Sequence, residues 1–269
     1  MITSFSNPKV KTIRKLNSKK ERQATGMFFV EGLRTVGEAI NRGAPIETFI
    51  IAPELLISSY GKTLLEQPAV ENIEKVFVSK EIFTKIGRTD GPQGIGAVVH
   101  QRWSNLRSLS VGGSDIWIAL DQIADPGNLG SIMRTADAVG CQGIILLGPS
   151  CDPHDPTAVK ASMGSIFSLK LVSADWETFL NWCVANQVNL IGTSDKAKMD
   201  YQLCSYQRPL ALLMGSERHG LTDEAMAACD RLVRIPMQGH ADSLNLSVAT
   251  AVVLYEIYNQ IRKLDTIAS

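Results

Sequence analysis

Long apolar stretches are missing from this chain, although 45% of its 269 residues are hydrophobic. No run approaches the roughly 20 apolar residues that span a membrane. The first eight residues also lack the apolar segment of a secretory signal. The composition therefore predicts a soluble protein with no membrane partner, long enough for two domains or one large one.

Cysteine is scarce and scattered. The chain has five cysteines, an odd number with no C-x-x-C pair. This pattern disfavours both a disulfide framework and a zinc site, and it predicts reduced thiols in a cytoplasmic protein that holds no metal. The segment from Cys151 to Asp155 contains metal-ligating residue types, but no second ligand pair accompanies it, so we interpret it as an ordinary polar loop.

Phosphate-binding glycine loops are also missing. The sequence contains no G-x-G-x-x-G, and the glycines Gly127 and Gly130 have the wrong spacing for a dinucleotide fingerprint or a Walker loop. A nicotinamide-dependent enzyme and a nucleoside triphosphatase are therefore disfavoured.

Charge is balanced overall but unevenly distributed. Residues 1–106 carry 15 Lys and Arg against 10 Asp and Glu, a net of +5, and the remainder carries −5. Seven of the cations lie within residues 1–22, where the only acidic residue is Glu21. Such a basic segment either contacts nucleic acid or forms the solvated face of a helix. Its cations are Lys9, Lys11, Arg14, Lys15, Lys19, Lys20 and Arg22.

Apolar periodicity predicts strands alternating with helices along the whole chain. Predicted strands in the first part are 27–30, 46–51, 75–78 and 94–99, and in the second part 115–120, 143–147, 188–191, 210–214 and 232–235. Strands that alternate with helices indicate an α/β fold, here with a mostly parallel sheet in the second part. The polar, weakly patterned residues 105–114 are predicted to link a domain over 1–104 to a domain over 115–269.

Three segments place small or amide-bearing residues where a strand would turn into a helix. They are Asn128 to Ala136 (NLGSIMRTA), Leu213 to Gly220 (LMGSERHG), and the pair Ile235 to Met237 (IPM) with Ser243 to Ala249 (SLNLSVA). In order, spacing and residue type they resemble the signature of the SpoU (TrmH-like) family of RNA ribose 2′-O-methyltransferases. The segments Phe28 to Gly32 and Gly91 to Gly94 resemble the L30e-like substrate-binding domain of its rRNA-directed members.

The resemblance implies an α/β-knot (SPOUT) catalytic domain with a C-terminal trefoil knot, S-adenosylmethionine as the cofactor, and a homodimer formed through the knot region. Glycine at position 215 would give a ligand close access to the backbone. Pro236 would fix the next turn. The residues that the resemblance assigns to the cofactor are Leu213, Gly215, Ile235, Leu244 and Ser247.

Arg134 is the catalytic residue that the resemblance implies. Arginine is a poor base because its pKa exceeds about 12. We therefore expect it to orient the ribose hydroxyl and to stabilise developing alkoxide charge, while the proton leaves to phosphate or water. Asn128 lies six residues earlier in the predicted helix, and we expect it on roughly the same side. The same resemblance adds Glu217, Ser243 and Asn245 to the catalytic set, while His219 and His240 stay outside it.

Each polar residue of this set also has a purely structural alternative. Asn128, Ser243 and Asn245 could cap the helices that they precede, and Glu217 could cap a helix beginning near Leu221. Arg134 could pair with a nearby carboxylate. Both kinds of role can hold together.

The chain is thus expected to methylate a ribose 2′-hydroxyl in structured RNA, with rRNA favoured over tRNA and with no DNA partner. The substrate-binding residues expected in the basic segment are Lys9, Lys11, Arg14 and Lys15. A non-catalytic RNA-binding or ribosome-assembly factor that keeps the fold is the alternative from a different class. A small-molecule α/β enzyme is disfavoured by the basic N-terminus and the missing phosphate loop.

Overall fold

The chain forms two compact units. The computed structural model describes residues 1–87 and 91–268. The first unit comprises Met1–Gln101 together with Asp152–Ser168, and the second comprises Arg102–Cys151 together with Leu169–Ser269. Within the described residues, no helix is long and apolar enough to cross a membrane.

The elements up to residue 101 form the first sheet and its helices. They are α1 (Pro8–Lys15), α2 (Lys19–Thr25), β1 (Met27–Glu31), α3 (Leu33–Asn41), β2 (Ile46–Ile51), α4 (Ser59–Leu65), β3 (Glu74–Phe77), α5 (Lys80–Ile86) and β4 (Ile95–His100). The strand order is β1-β4-β2-β3, so β1 is an edge strand. β4 pairs antiparallel with β1 and β2, whereas β2 and β3 are parallel.

The first helix packs on this sheet through one apolar stripe. Val10, Ile13 and Leu16 recur every three residues and are all buried, in a core with Val78 and Phe83. Asn7 caps the helix by accepting a hydrogen bond from the backbone N–H of Lys9, and Pro8 at its start has no N–H to satisfy. The exposed basic side chains of this helix consequently lie opposite the core.

The remaining elements begin with a short 3₁₀-helix (Leu106–Ser108). They are β5 (Ile116–Asp121), α6 (Pro126–Ala138), β6 (Gly143–Leu147), α7 (Pro156–Ser162), β7 (Lys170–Ala174), α8 (Trp176–Ala185), β8 (Asn189–Thr193), β9 (Met199–Asp200), β10 (Leu210–Met214), α9 (Asp223–Ala227), β11 (Arg231–Arg234) and α10 (Leu246–Ala268). All of them except α7 belong to the second unit.

The second unit is built on a seven-stranded sheet with the order β7-β6-β5-β10-β8-β11-β9. Each neighbouring pair in it is parallel. The central strands β5, β6 and β10 are almost entirely buried, as expected for a parallel sheet covered on both faces. On one face the core contains Trp117, whose ring meets that of Trp182 edge to face with centroids 5.5 Å apart. The parallel α/β architecture predicted from the sequence is confirmed.

The strand order follows from tertiary pairing and not from chain order. β10 inserts between β5 and β8, so its carboxyl end lies beside the carboxyl end of β5, where Met214 pairs with Leu120. Ligands of open parallel sheets bind at this edge. The trefoil knot implied by the resemblance stays a prediction.

Residues 105–114 differ from the linker expected there. Leu106 is buried in the second unit's core, and Ser104 forms a β-bridge with Val172. The segment has few apolar residues, so its sequence did not indicate that Leu106 alone would anchor it to the core. The sequence also did not predict α2, β7 or β9, because these elements are short or polar.

The excursion Asp152–Ser168 belongs to the first unit, although the predicted boundaries placed it in the domain over 115–269. Its strongest anchor is Arg22, which is 1% exposed. Arg22 donates from Nε to Asp152 Oδ2 at 2.7 Å and from Nη2 to Asp155 Oδ2 at 3.3 Å. Nη1 donates to the carbonyl of Leu16 at 3.0 Å. Arg22 therefore has a structural role, unlike its neighbours Lys19 and Lys20, which are exposed.

We predict that Arg22→Ala destabilises the first unit by about 3–5 kcal/mol, because it leaves two carboxylates without their cation. The measurement is the free energy of unfolding in urea, together with hydrogen exchange of the α7 amides. Lys19→Ala, an exposed change on the same helix, is the matched control and should stay within about 0.5 kcal/mol of the wild type. Equal stability of the two variants would contradict the structural role of Arg22.

Acid should weaken the same anchor. Burial raises the pKa of Asp152, but hydrogen bonds from His154 and Arg22 and the charge of Arg22 outweigh it and lower the pKa from 3.8 to about 2. Because the folded pKa lies below the unfolded one, the unfolded chain binds more protons between these values. Stability is therefore present above about pH 4 and is lost as the pH falls toward 2, by about 2 kcal/mol. Comparing the unfolding free energy of wild type and Asp152→Asn across this range tests it, and parallel curves would refute it.

Candidate active site

The loop after β5 and the loop after β10 meet because their strands are parallel neighbours. The first loop leads into α6, which begins at Pro126 with Asp125 as its N-cap. Asp125 Oδ1 accepts from the backbone N–H of Asn128 at 2.7 Å. Asn128 is therefore inside the first turn and is not the cap, which leaves its side chain available for other partners.

Glu217, in the loop after β10, holds the start of α6. Its carboxylate accepts hydrogen bonds from the backbone N–H groups of Ala124 and Asp125, both at 3.2 Å, and from Asn128 Nδ2 at 3.3 Å. The helix-capping alternative for Glu217 is wrong, because Thr222 caps α9. Partial burial raises the pKa of Glu217, but hydrogen bonds from backbone N–H groups and from Asn128 outweigh it, so the pKa is lowered and the group is ionised at neutral pH.

Asn245 joins the third segment to the same cluster. Its Nδ2 donates to Asn128 Oδ1 at 3.0 Å. Its Oδ1 accepts from the backbone N–H and the hydroxyl of Ser247, at 2.9 and 2.7 Å, and from the N–H of Val248 at 3.4 Å. Asn245 therefore caps α10, a role that the sequence left open for Ser243 and Asn245. One continuous network, Glu217–Asn128–Asn245–Ser247, connects all three segments.

A cavity of about 550 Å³ opens beside this network, at the carboxyl ends of β8, β10 and β11. The cavity is lined by six of the residues that the sequence singled out, Glu217, Gly215, Ile235, Ser243, Leu244 and Asn245. Its volume is in the range of pockets for small organic ligands. Both apolar side chains and polar groups line the cavity.

Two predicted cofactor residues lie elsewhere. Leu213 is fully buried in the core on one face of the sheet, because its side chain alternates away from the cavity that its neighbour Met214 lines. Ser247 is not among the lining residues, but it donates hydrogen bonds to Asn245, which is. Sequence reasoning missed Thr193, Met214 and Met237, which also line the cavity. Thr193 and Met214 end parallel strands, and this position was the signal that could have identified them.

Glycine at 215 also has a cause within its own loop. A Cβ there would overlap the backbone of Gly220 and Leu221. The loop folds back on itself through paired backbone bonds between Ser216 and Gly220, of 3.2 and 3.0 Å. The glycine is thus required by the loop's own fold, and the loop in turn presents Glu217.

Arg134 lies on α6 with an exposed side chain. A helix has 3.6 residues per turn, so six residues place Arg134 about 120° around the axis from Asn128. The expectation that the two share one side of the helix is therefore wrong. Among the described residues, neither Glu217 nor any other carboxylate pairs with Arg134, so its guanidinium is available for a substrate.

The substrate-side predictions fall in the first unit. Lys11, Arg14 and Lys15 are exposed on α1, and Lys9 is exposed and pairs with Glu74. In the described part of the chain, no group of three metal-ligating side chains lies together. The aspartates of the segment from Cys151 to Asp155 instead bind Arg22.

Family models match most of the chain. Residues 115–255 match the SpoU rRNA Methylase family, and residues 7–97 match the MRM3-like substrate binding domain. The second unit, a parallel α/β sheet with the polar network at its carboxyl edge, is thus a methyltransferase domain. The chain belongs to the SpoU rRNA methylase family, as the sequence motifs predicted.

Curated relatives align along nearly the whole chain. A 23S rRNA (uridine(2479)-2′-O)-methyltransferase from Streptomyces viridochromogenes is 31% identical over 91% of this chain and 87% of its own length. The 23S rRNA (guanosine(2553)-2′-O)-methyltransferase RlmP of Bacillus subtilis is 29% identical over 95% and 98%.

Solved structures agree with the fold. An AdoMet-bound rRNA methyltransferase from Sinorhizobium meliloti superimposes with a TM-score of 0.88 at 37% identity, covering 97% of both chains. The SpoU methyltransferase AviRb from Streptomyces viridochromogenes, in complex with the cofactor AdoMet, has a TM-score of 0.86 at 29% identity, over 95% and 98% of the two chains. The predicted fold class, enzyme class and N-terminal substrate-binding domain are confirmed.

We predict that Asn245→Ala lowers the free energy of unfolding by about 1–2 kcal/mol, because α10 loses its N-cap and Asn128 loses a donor. Asn245→Asp keeps the capping oxygen and should recover most of the cap's contribution. Urea unfolding, with hydrogen exchange in the first turn of α10, measures both. Equal exchange in the alanine variant and the wild type would show that Asn245 does not cap the helix.

Proposed function

We propose that this protein transfers a methyl group from S-adenosylmethionine to a ribose 2′-hydroxyl of 23S rRNA. The observation that carries the proposal is the network Glu217–Asn128–Asn245, which joins three SpoU segments beside a cavity at the carboxyl edge of the sheet. The 23S rRNA methyltransferases among the relatives support the choice of RNA. Methylation of tRNA is the alternative substrate class.

The cofactor supplies an electrophilic methyl group on a sulfonium when it is bound. The backbone around Gly215 and the side chains of Ile235 and Leu244 would hold it, because these residues line the cavity. Glu217 fixes the loop that follows β10 to the start of α6, so the two walls keep their positions without reorganisation. Asn128 and Asn245, held by each other, would fix the substrate side of the site.

Arg134 is the residue proposed to act on the ribose. It would donate hydrogen bonds to the 2′-oxygen and stabilise its developing negative charge, while the proton passes to an RNA phosphate or to water. The absence of a carboxylate partner among the described residues supports this role, because a paired guanidinium would have to give up that partner first. Lys9, Lys11, Arg14 and Lys15 on α1 would hold RNA phosphates.

A homodimer through α10 is the proposed assembly. Val248 and Tyr255 are exposed although they are large and apolar, at 48% and 46%. They are seven residues apart, about two helical turns, so they share one side of the helix. An rRNA substrate and five free cysteines support a cytoplasmic location.

The function is tested with labelled S-adenosylmethionine and unmodified 23S rRNA, 16S rRNA and tRNA. Ribose methylation leaves alkali-resistant dinucleotides, and we expect them from 23S rRNA alone. Label in tRNA alone would show that the substrate is tRNA and not 23S rRNA. Cofactor binding without label in any of these RNAs would contradict all three substrates, and failure to bind the cofactor would favour the non-catalytic RNA-binding alternative.

We predict that Arg134→Ala reduces methyl transfer by at least about 100-fold, because charge stabilisation of the alkoxide is lost. The cofactor Kd, measured by calorimetry, should change less than about 2-fold, since Arg134 does not line the cavity. Arg107→Ala removes another exposed arginine from the same unit and serves as the control. Near-normal turnover by Arg134→Ala would defeat the assignment.

We predict that Tyr255→Glu converts the dimer to a monomer, because it places a charge on the apolar side of α10. Light scattering after gel filtration measures the mass of wild type and variant. Lys196→Glu, an exposed change elsewhere in the second unit, should leave the mass unchanged. A wild type that is already monomeric would contradict the proposed assembly.

A further inference from the structure

The first unit contains a second cavity, of about 580 Å³, which shares no lining residue with the proposed methyl-transfer site. Residues of β1, of the start of α3 and of α7 line it. The α7 wall comes from the excursion Asp152–Ser168, so the cavity exists only because that segment packs into the first unit.

Two cations lie on the rim of this cavity. Arg34 and Lys160 line it and are both exposed, whereas Glu31, the one carboxylate among the described lining residues, is half-buried against Gly87. Arg34 and Lys160 can both reach the phosphates of a ligand. The carboxylate of Glu31 is less accessible, because it lies against the backbone of Gly87. The rim therefore favours an anion.

The cavity wall also contains an open strand edge. β1 is the edge strand of its sheet. The Gly32 N–H donates to the carbonyl of Ile95, and the Gln101 N–H donates to the carbonyl of Gly26. These two bonds show that Gly26 and Gly32 direct their backbone groups toward β4. Hydrogen-bonding alternates along an antiparallel pair, so Phe29, between these residues, directs its own N–H and C=O away from β4. An outward donor and acceptor on one residue can bond the edge of a nucleobase.

An aromatic ring is the third component. Phe29 is half-buried and lines the cavity. Its ring crosses β4 at Gly96, where a Cβ would overlap it. Aromatic rings bind bases of any sequence by stacking, and this is how proteins hold unpaired nucleotides.

The α7 wall is fixed before any ligand arrives. Arg22 binds the two aspartates that precede α7. Phe28 packs on His154 with ring centroids 4.6 Å apart. Gly164 approaches Glu38 so closely that a Cβ would lie 2.7 Å from its side chain. A wall held at three points gives a preformed pocket, which lowers the entropic cost of binding.

We propose that this cavity takes one unpaired nucleotide of the RNA substrate, with Arg34 and Lys160 on its phosphates and Phe29 with the β1 edge on its base. The inference deepens the proposed function, since it assigns a nucleotide subsite to the unit that matches a substrate binding domain. It does not depend on which RNA is methylated. A free mononucleotide has the same chemistry, and the experiment separates the two.

The first test is photo-cross-linking of wild-type protein to a mixture of unmodified 23S, 16S and tRNA transcripts that contain 4-thiouridine. We expect the cross-linked peptides to include Phe29 or the α7 segment. Cross-links that map only elsewhere, or none at all, would overturn the proposal. Competition by micromolar uridine 5′-monophosphate would overturn RNA as the occupant in favour of a free nucleotide.

The second test measures RNA affinity against salt concentration. Arg34→Glu and Lys160→Glu should each weaken binding by about 10-fold and reduce the salt slope by about 1, because each removes a phosphate contact. Lys62→Glu makes the same charge change on α4 of the same unit, outside the cavity, and should have little effect. If the three variants bind alike, the proposal fails.

The base contact is tested with Phe29→Leu and Phe29→Tyr. Loss of stacking in the leucine variant should weaken RNA binding by about 10-fold, and tyrosine should restore it because it keeps the ring. Thermal unfolding of both variants shows whether the fold is intact, and equal affinity of the two folded variants would exclude stacking. Cofactor affinity should stay within about 2-fold, because Phe29 does not line the cofactor cavity. Failure of wild type to methylate would instead count against the proposed function and leave the cross-linking result standing.

Discussion

The carboxylate of Glu217 is the group on which the proposed active site depends. It binds the two backbone N–H groups that precede α6 and the amide of Asn128, so the loop after one strand is tied to the helix after its neighbour. Asn128 then holds Asn245, which begins α10. Three pieces of chain thus share one hydrogen-bond network, in which Asn128 is bonded to residues 89 and 117 positions away. Because the network is polar and partly exposed, its bonds serve chiefly to fix geometry, and the buried strands beneath provide the stability.

Those strands explain why the network lies where it does. In a parallel sheet every carboxyl end is at the same edge, and β10 lies between β5 and β8. Gly215 lets the loop after β10 fold back against Leu221 and so turns Glu217 toward α6. The cavity beside the network is bounded by the carboxyl ends of three parallel strands.

The first unit has a comparable dependence on one buried ion. Arg22 is among the basic residues near the N-terminus, yet it is enclosed by Asp152, Asp155 and the carbonyl of Leu16. Its neighbours on α1 remain exposed and available to RNA. One arginine thereby recruits a segment from the middle of the methyltransferase sequence, and that segment supplies a wall of the second cavity.

The sequence alone determined the family, the α/β class and most of the strands, because alternating apolar runs and the three polar segments are local features. It placed β2, β6 and β10 at the bounds that the structure shows. It also singled out Asn128, Glu217 and Asn245, although it left each between capping and a catalytic role. Only the tertiary structure decided that Asn245 caps its helix, that Asn128 and Glu217 do not cap theirs, and that Leu213 faces the core. It alone decided that Asp152–Ser168 joins the first unit. The Glu217–Asn128 bond and the docking of Asp152–Ser168 depend on which distant groups meet, and hydrogen bonds between residues 89 or more positions apart leave no trace in local periodicity.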